Sequence, residues 1–205
     1  MTFFESLLAL CECSGDARYL EGAHRLFDLF ASRFFRPDRG VLGEYFTDDL
    51  RPADGIAGAI VEPGHHHEWV WLLRRFEAAG GCDVQAFVDA LYGHADRHGF
   101  DAGGMIHSEL LADGTPRAGP RRIWPVTEAI KSNLIEARHG RAQGEGRAAA
   151  LAVLLRQRFL NTDLAGGWRD KLDHDGRCMN AFMPASTLYH LMGAIDELSR
   201  VADGR

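Results

Sequence analysis

Three stretches of the chain that read as short extended pieces, 40–46, 103–106 and 166–170, each open with a glycine, and those glycines are spaced 63 residues apart. Between them the apolar residues recur at helical spacing, with helices predicted over 3–13, 17–35, 65–79, 84–98, 124–138, 147–160 and 183–201. A long-period recurrence of helix, helix and glycine-started loop is the signature of stacked helical hairpins, each burying its apolar side against its neighbours. Prolines stand at three helix entrances, positions 63, 125 and 184, where a fixed φ suits the first helical turn. The loops that lead into those helices therefore share one face. Curvature of the stack would bring the helix N-termini round a single pocket, to which successive hairpins contribute His65, Glu128 and His190, spaced 63 and 62 apart. The prediction is an all-α fold with short β pieces in its loops, forming one domain over 1–205.

The richest local stretch is Glu62-Pro63-Gly64-His65-His66-His67-Glu68-Trp69-Val70-Trp71. Side chains turn by about 100° per helical residue, so His65, Glu68 and Trp69 are expected on one face while His66 and His67 point elsewhere. Adjacent helical residues diverge and cannot hold one ion together, so no metal site is expected from the three histidines. Plainer roles exist for the other two candidates. Glu128 suits a helix N-terminus as a carboxylate favoured by the macrodipole, and His190 could be a packed polar residue beside Tyr189.

Composition narrows the class. A formal charge of −6, with no basic stretch interleaved with aromatics, speaks against a nucleic-acid partner. No apolar run approaches the 18 or more residues that cross a bilayer, so no membrane partner is expected. Residues 1–10 lack a basic leader and a small-residue cleavage site, and no targeting signal is read there. Cys11, Cys13, Cys82 and Cys178 form neither a CxxC motif nor a disulfide framework, which fits a reducing, cytoplasmic setting. No Gly-rich phosphate loop, GxSxG elbow or zinc-ligand spacing is present, and no cofactor is expected.

Two histidines facing one pocket suit reversible proton transfer, because an imidazole with a pKa near 6.5 serves as acid or base at neutral pH. Glu68, one turn on from His65, could hold its tautomer. Trp69, Trp124 and Trp168 offer flat faces for the C–H surface of a sugar. Removing a proton beside a carbonyl and returning it at the neighbouring carbon would isomerise an aldose to a ketose, or epimerise it, without a metal. Two carboxylates such as Glu68 and Glu128 could instead hydrolyse a glycosidic bond, with the histidines as spectators.

Four motifs in order, EPGHHHEWVWLL, RIWPVTEAIK, GGWRDKLDHDGR and MPASTLYHL, resemble those of the N-acylglucosamine 2-epimerase superfamily, most closely its mannose isomerase and sulfoquinovose isomerase branch. The resemblance covers nearly the whole chain. It implies an (α/α)6 barrel, with His65 and His190 as the acid–base pair that moves a proton between C1 and C2 through an enediol. Glu68 would support His65, while Trp124 and Glu128 would line the sugar site. A free or lightly substituted hexose such as mannose is the implied substrate, and 2-epimerisation of N-acylated or disaccharide sugars is the family alternative. One departure is large: six hairpins need roughly 370 residues, and this chain holds about three and a half hairpins, corresponding to the C-terminal part of the barrel. Thr2 stands where the family places a further pocket histidine. The expectation is a partial barrel with an open apolar edge, which associates with a second copy or with a complementing N-terminal half, or which belongs to a longer gene product. The remaining alternative is a sugar-binding module without turnover.

Overall fold

The computed structural model of the chain describes residues 1–204. Seven α-helices are present among them: α1 (Thr2–Ser14), α2 (Ala17–Leu29), α3 (Pro63–Ala78), α4 (Gln85–His98), α5 (Ile123–Arg138), α6 (Gly144–Leu155) and α7 (Ala185–Ala202). Consecutive helices pair as hairpins, α1 with α2, α3 with α4 and α5 with α6, while α1, α3, α5 and α7 lie side by side as an inner row. Burial separates the layers. Twelve of the sixteen residues of α3 and fourteen of the sixteen of α5 are buried, as expected of helices covered on every side. The last helix, α7, buries only Thr187, Leu191, Ala194 and Glu197, so one flank of it is open.

The loops carry three two-stranded antiparallel ladders: β1 (Phe35–Arg36) with β2 (Val41–Leu42), β3 (Ile60–Val61) with β4 (Leu110–Leu111), and β5 (Arg121–Arg122) with β6 (Lys171–Leu172). The second and third join loops from successive hairpins, and so tie the helix entrances of neighbouring repeats together. The 103–106 piece only folds back on itself, through a bridge between Phe100 and Ile106. The paired strand comes later, at Leu110–Leu111, because its partner Ile60–Val61 is apolar and both are covered by Val41 and Ala112. Likewise the strand expected at 166–170 forms at Lys171–Leu172. Helix α2 ends before Phe35: a wider turn over Phe30–Phe34, closed by the Phe35 N–H donating to the Phe30 carbonyl, seats Phe30 in the core and releases the chain into β1.

Two apolar clusters fill the interior, one among α1 to α4 and one among α5 to α7. At the centre of the first, Trp69 is sandwiched between Phe4 and Phe30, ring centroids 5.3 and 4.0 Å away. Each such ring removes about 150–250 Å² from water, worth roughly 4–6 kcal/mol at about 25 cal/mol per Å². Between the clusters, Arg74 of α3 meets Glu136 of α5 at 2.7 Å and Glu77 at 2.9 Å. The four cysteines are free. No helix among the described residues is long and apolar enough to cross a membrane.

Candidate active site

The N-terminal ends of α3, α5 and α7 converge on a cavity of about 380 Å³ whose wall includes Thr2, Glu62, His65, Glu68, Arg122, Trp124, Asp170, Lys171, Thr187 and His190. Pro63 opens α3 and Pro184 caps α7, while Pro125 is the third residue of α5. The entrances predicted from the prolines are thus the ones that meet.

His65 and His190 both line this space, and both rings pack near one indole. Their rings lie 4.9 and 5.6 Å from that of Trp124. Each is held the same way. The Nδ1 of His65 is 2.8 Å from Glu44 Oε2, and the Nδ1 of His190 is 2.8 Å from Glu128 Oε1. A carboxylate accepts only, so each Nδ1 carries the proton and Nε2 is the ring nitrogen left for a ligand. Glu128 is fully buried, and its other oxygen is 2.7 Å from Lys131 Nζ, itself buried and 3.9 Å over the Trp71 ring. It stands behind His190 and does not line the cavity.

The carboxylate that holds His65 is Glu44, from the loop after β2, not Glu68; Glu68 makes no hydrogen bond to the ring and acts on it through charge alone. Burial by itself would lower the His65 pKa. The hydrogen bond and charge of Glu44, with Glu62 and Glu68, outweigh that and hold it above the ordinary histidine value. Glu68 lines the cavity with its own pKa pushed up to about 7, first by burial and then by the nearby charge of Glu128. Burial likewise raises Glu62. An imidazole with a raised pKa, a second imidazole and a carboxyl group with its pKa near 7 are therefore arranged round one space. Atoms of Glu44, Glu62 and His65 lie within 4.8 Å of one another, a grouping that could also accept a divalent cation.

Two tryptophans expected at the sugar site are elsewhere. Trp69 belongs to the core, because α1 lays Phe4 over that side of α3. Trp168 packs beside the second apolar cluster and is not on the cavity wall. The neighbouring histidines diverge as helical geometry requires: His66 Nε2 accepts the Leu42 N–H at 3.1 Å, and His67 bonds Ser132 at 2.8 Å. Both are buried, and burial drives both pKa values down, that of His67 to about 4. The signal that points to Glu44 is in the repeat itself. The fourth residue after each period glycine is Glu44, His107 or Asp170, and Asp170 also lines the cavity, where it accepts the Thr187 hydroxyl at 2.5 Å.

Known proteins resemble this chain. The family model for N-acylglucosamine 2-epimerase (GlcNAc 2-epimerase) matches residues 1–194. A mannose-6-phosphate isomerase of Rhizobium meliloti (strain 1021) is 37% identical over 97% of this chain and 53% of its own length. A D-mannose isomerase of Pseudomonas cannabina pv. alisalensis is 26% identical over 91% and 50%. The crystal structure of a D-mannose isomerase superposes with a TM-score of 0.78 at 18% identity, covering 97% of this chain and 54% of that one, which establishes the likeness of fold. The chain spans about half the length of the relatives it matches. With its family model matched from the first residue to within α7, the chain belongs to the N-acylglucosamine 2-epimerase family.

Proposed function

We propose that the chain is the C-terminal part of an (α/α)6 barrel and acts as an isomerase on a mannose-type hexose, interconverting aldose and ketose by proton transfer between two imidazoles. The observation that carries this reading is the pair of matched histidine–carboxylate units, Glu44 with His65 and Glu128 with His190, whose imidazoles line one cavity beside Trp124. With the open-chain sugar between them, Nε2 of His190 takes the proton from C2 while His65, in the protonated form that Glu44 favours, gives its proton to the carbonyl oxygen at C1. The product of that step is the enediol. His65 then takes the proton from the oxygen on C2, and His190 returns its proton to C1, which leaves the ketose and the starting state of both rings. Glu68, titrating near 7, assists the oxygen-to-oxygen exchange, and Trp124 provides the flat floor for the sugar's C–H face. The hexose class follows two relatives, a mannose-6-phosphate isomerase and a D-mannose isomerase.

The product distinguishes the readings. Incubation with mannose and chromatography of the sugars should give fructose, and glucose as the main product would instead mean epimerisation at C2. A second reading, a sugar-binding module without turnover, is favoured by the half-length match to the relatives. Saturable mannose binding with no new sugar formed would establish it.

A further inference from the structure

The two carboxylates behind the imidazoles stand on unequal footings. Glu128 is part of α5, a helix with fourteen of its sixteen residues buried. Glu44 has no such frame, because it lies in the loop after β2, a strand of only two residues. A reacting constellation has to be held to within about 0.5 Å, and a loop does that only where its backbone is tied down.

Two backbone bonds fix the chain just ahead of Glu44, and they run in opposite directions. The Gly43 N–H donates to the Phe34 carbonyl at 3.0 Å, which holds the chain to the end of the first hairpin. Bonded and non-bonded positions alternate along an antiparallel pair, so the Leu42 N–H points away from β1 and the ladder offers it no acceptor. Leu42 is buried, where an N–H without a partner is costly. His66 supplies the partner, its Nε2 accepting that N–H at 3.1 Å. The accepting nitrogen carries no proton, so the ring is neutral with its proton on Nδ1, and complete burial opposes the cation.

His66 follows His65 directly, so one turn of α3 grips the loop twice. His65 Nδ1 meets the Glu44 side chain at 2.8 Å, and His66 Nε2 meets the main chain two residues earlier. The Glu44 carboxylate also accepts the Glu62 N–H, at 3.3 Å, from the entrance of the same helix.

Building on the isomerase reading above, we propose that His66 is a positioning residue for the proton transfer: by accepting the Leu42 N–H it ties the Glu44 loop to the helix that carries His65, and so sets carboxylate against imidazole. It is absent from the cavity wall and touches no substrate. The three consecutive histidines thus divide the work, with His65 lining the cavity, His66 fixing the loop and His67 bonded to Ser132 of α5.

A double-mutant cycle separates this role from a merely structural one, each rate being read on protein shown to be folded by circular dichroism. His66→Leu removes the acceptor and keeps the site filled; it should lower kcat about tenfold, the cost of a sub-ångström misplacement of an orienting group, and change KM less than about twofold. In a Glu44→Gln background the same replacement should cost less than about twofold more, because the contact it supports is already gone. His66→Gln, whose amide oxygen reaches the place of Nε2, should recover most of the loss. His66→Asn, one carbon too short to reach Leu42, should not, and it carries the same cycle where the leucine variant fails to fold. Losses that multiply in the double variant, full activity in both His66→Leu and His66→Asn, or no recovery in His66→Gln would overturn the assignment. Nitrogen-15 NMR of the His65 ring separates this from the parent reading. The neutral ring should hold its proton on Nδ1 in the unaltered chain and lose that preference in His66→Leu or His66→Asn. A tautomer that neither replacement moves removes the positioning role, whereas a shifted tautomer in a chain that turns over no sugar removes the isomerase alone.

Discussion

At the scale of single residues, the site depends on what stands behind each imidazole. Glu44 raises the pKa of His65 against a burial that would lower it. Replacing Glu44 by Gln removes the charge and leaves burial dominant, so the His65 titration followed by NMR should move to lower pH. The sign follows from linkage: a group with a raised folded pKa is favoured by folding in its protonated form, and that contribution fades as pH rises through the folded value. Turnover in Glu44→Gln should fall about tenfold or more, short of the 10²–10⁴ expected for losing a general acid. An unmoved titration would mean that Glu44 does not hold the ring. Sequence reading reached the two histidines because they sit on the repeat. It missed Glu44 because a carboxylate in a loop carries no periodic signal of its own, and the recurrence at Glu44, His107 and Asp170 emerges only once the loops are aligned by their glycines.

At the scale of elements, the decisive contact is the close approach of the α3 and α5 entrances. A Cβ built on Gly64 would come within 2.6 Å of the Trp124 ring and 2.9 Å of Pro125, so only glycine lets that indole settle where it lies near both histidine rings. Gly64→Ala should cost about 1–3 kcal/mol of stability by overpacking and lower turnover more than stability at the assay temperature accounts for. Denaturant unfolding and a rate assay on the same sample check both parts, and an unchanged rate would show that the position of Trp124 is immaterial. Helix existence was legible from apolar spacing. The pairing of Ile60–Val61 with Leu110–Leu111 was not, because two-residue strands have no period and their register is set by a partner fifty residues away in another hairpin. Trp69 went unread as a core residue for a similar reason. Its place on α3 fits the cavity face, and only the neighbouring α1, with Phe4, decides that it is covered.

At the scale of the whole molecule, the inner row ends on a helix with an open flank. Leu188, Met192 and Ile195 follow one another at helical spacing on α7 and are 47, 56 and 48% exposed, with Phe182 at 68% just before the helix. An apolar stripe of this kind marks an association surface, and the relatives are about twice as long as this chain. Light scattering should therefore report a mass that rises towards twice that of the monomer with concentration, and Met192→Glu should return it to the monomer. A monomer at every concentration would remove association from the account. The glycine period already implied a stack of hairpins, whereas the exposed patch on α7 depended on how each helix rotates in place.

All of these levels serve one claim, that His65 and His190 act together on a single sugar. Turnover in heavy water tests it. The chain incubated with mannose should place solvent deuterium at C2 of recovered mannose and at C1 of fructose, and the rate should fall by about 10²–10⁴ in both His65→Ala and His190→Ala. Deuterium uptake that survives loss of either imidazole, or no uptake by the unaltered chain from mannose or its 6-phosphate, would contradict the account.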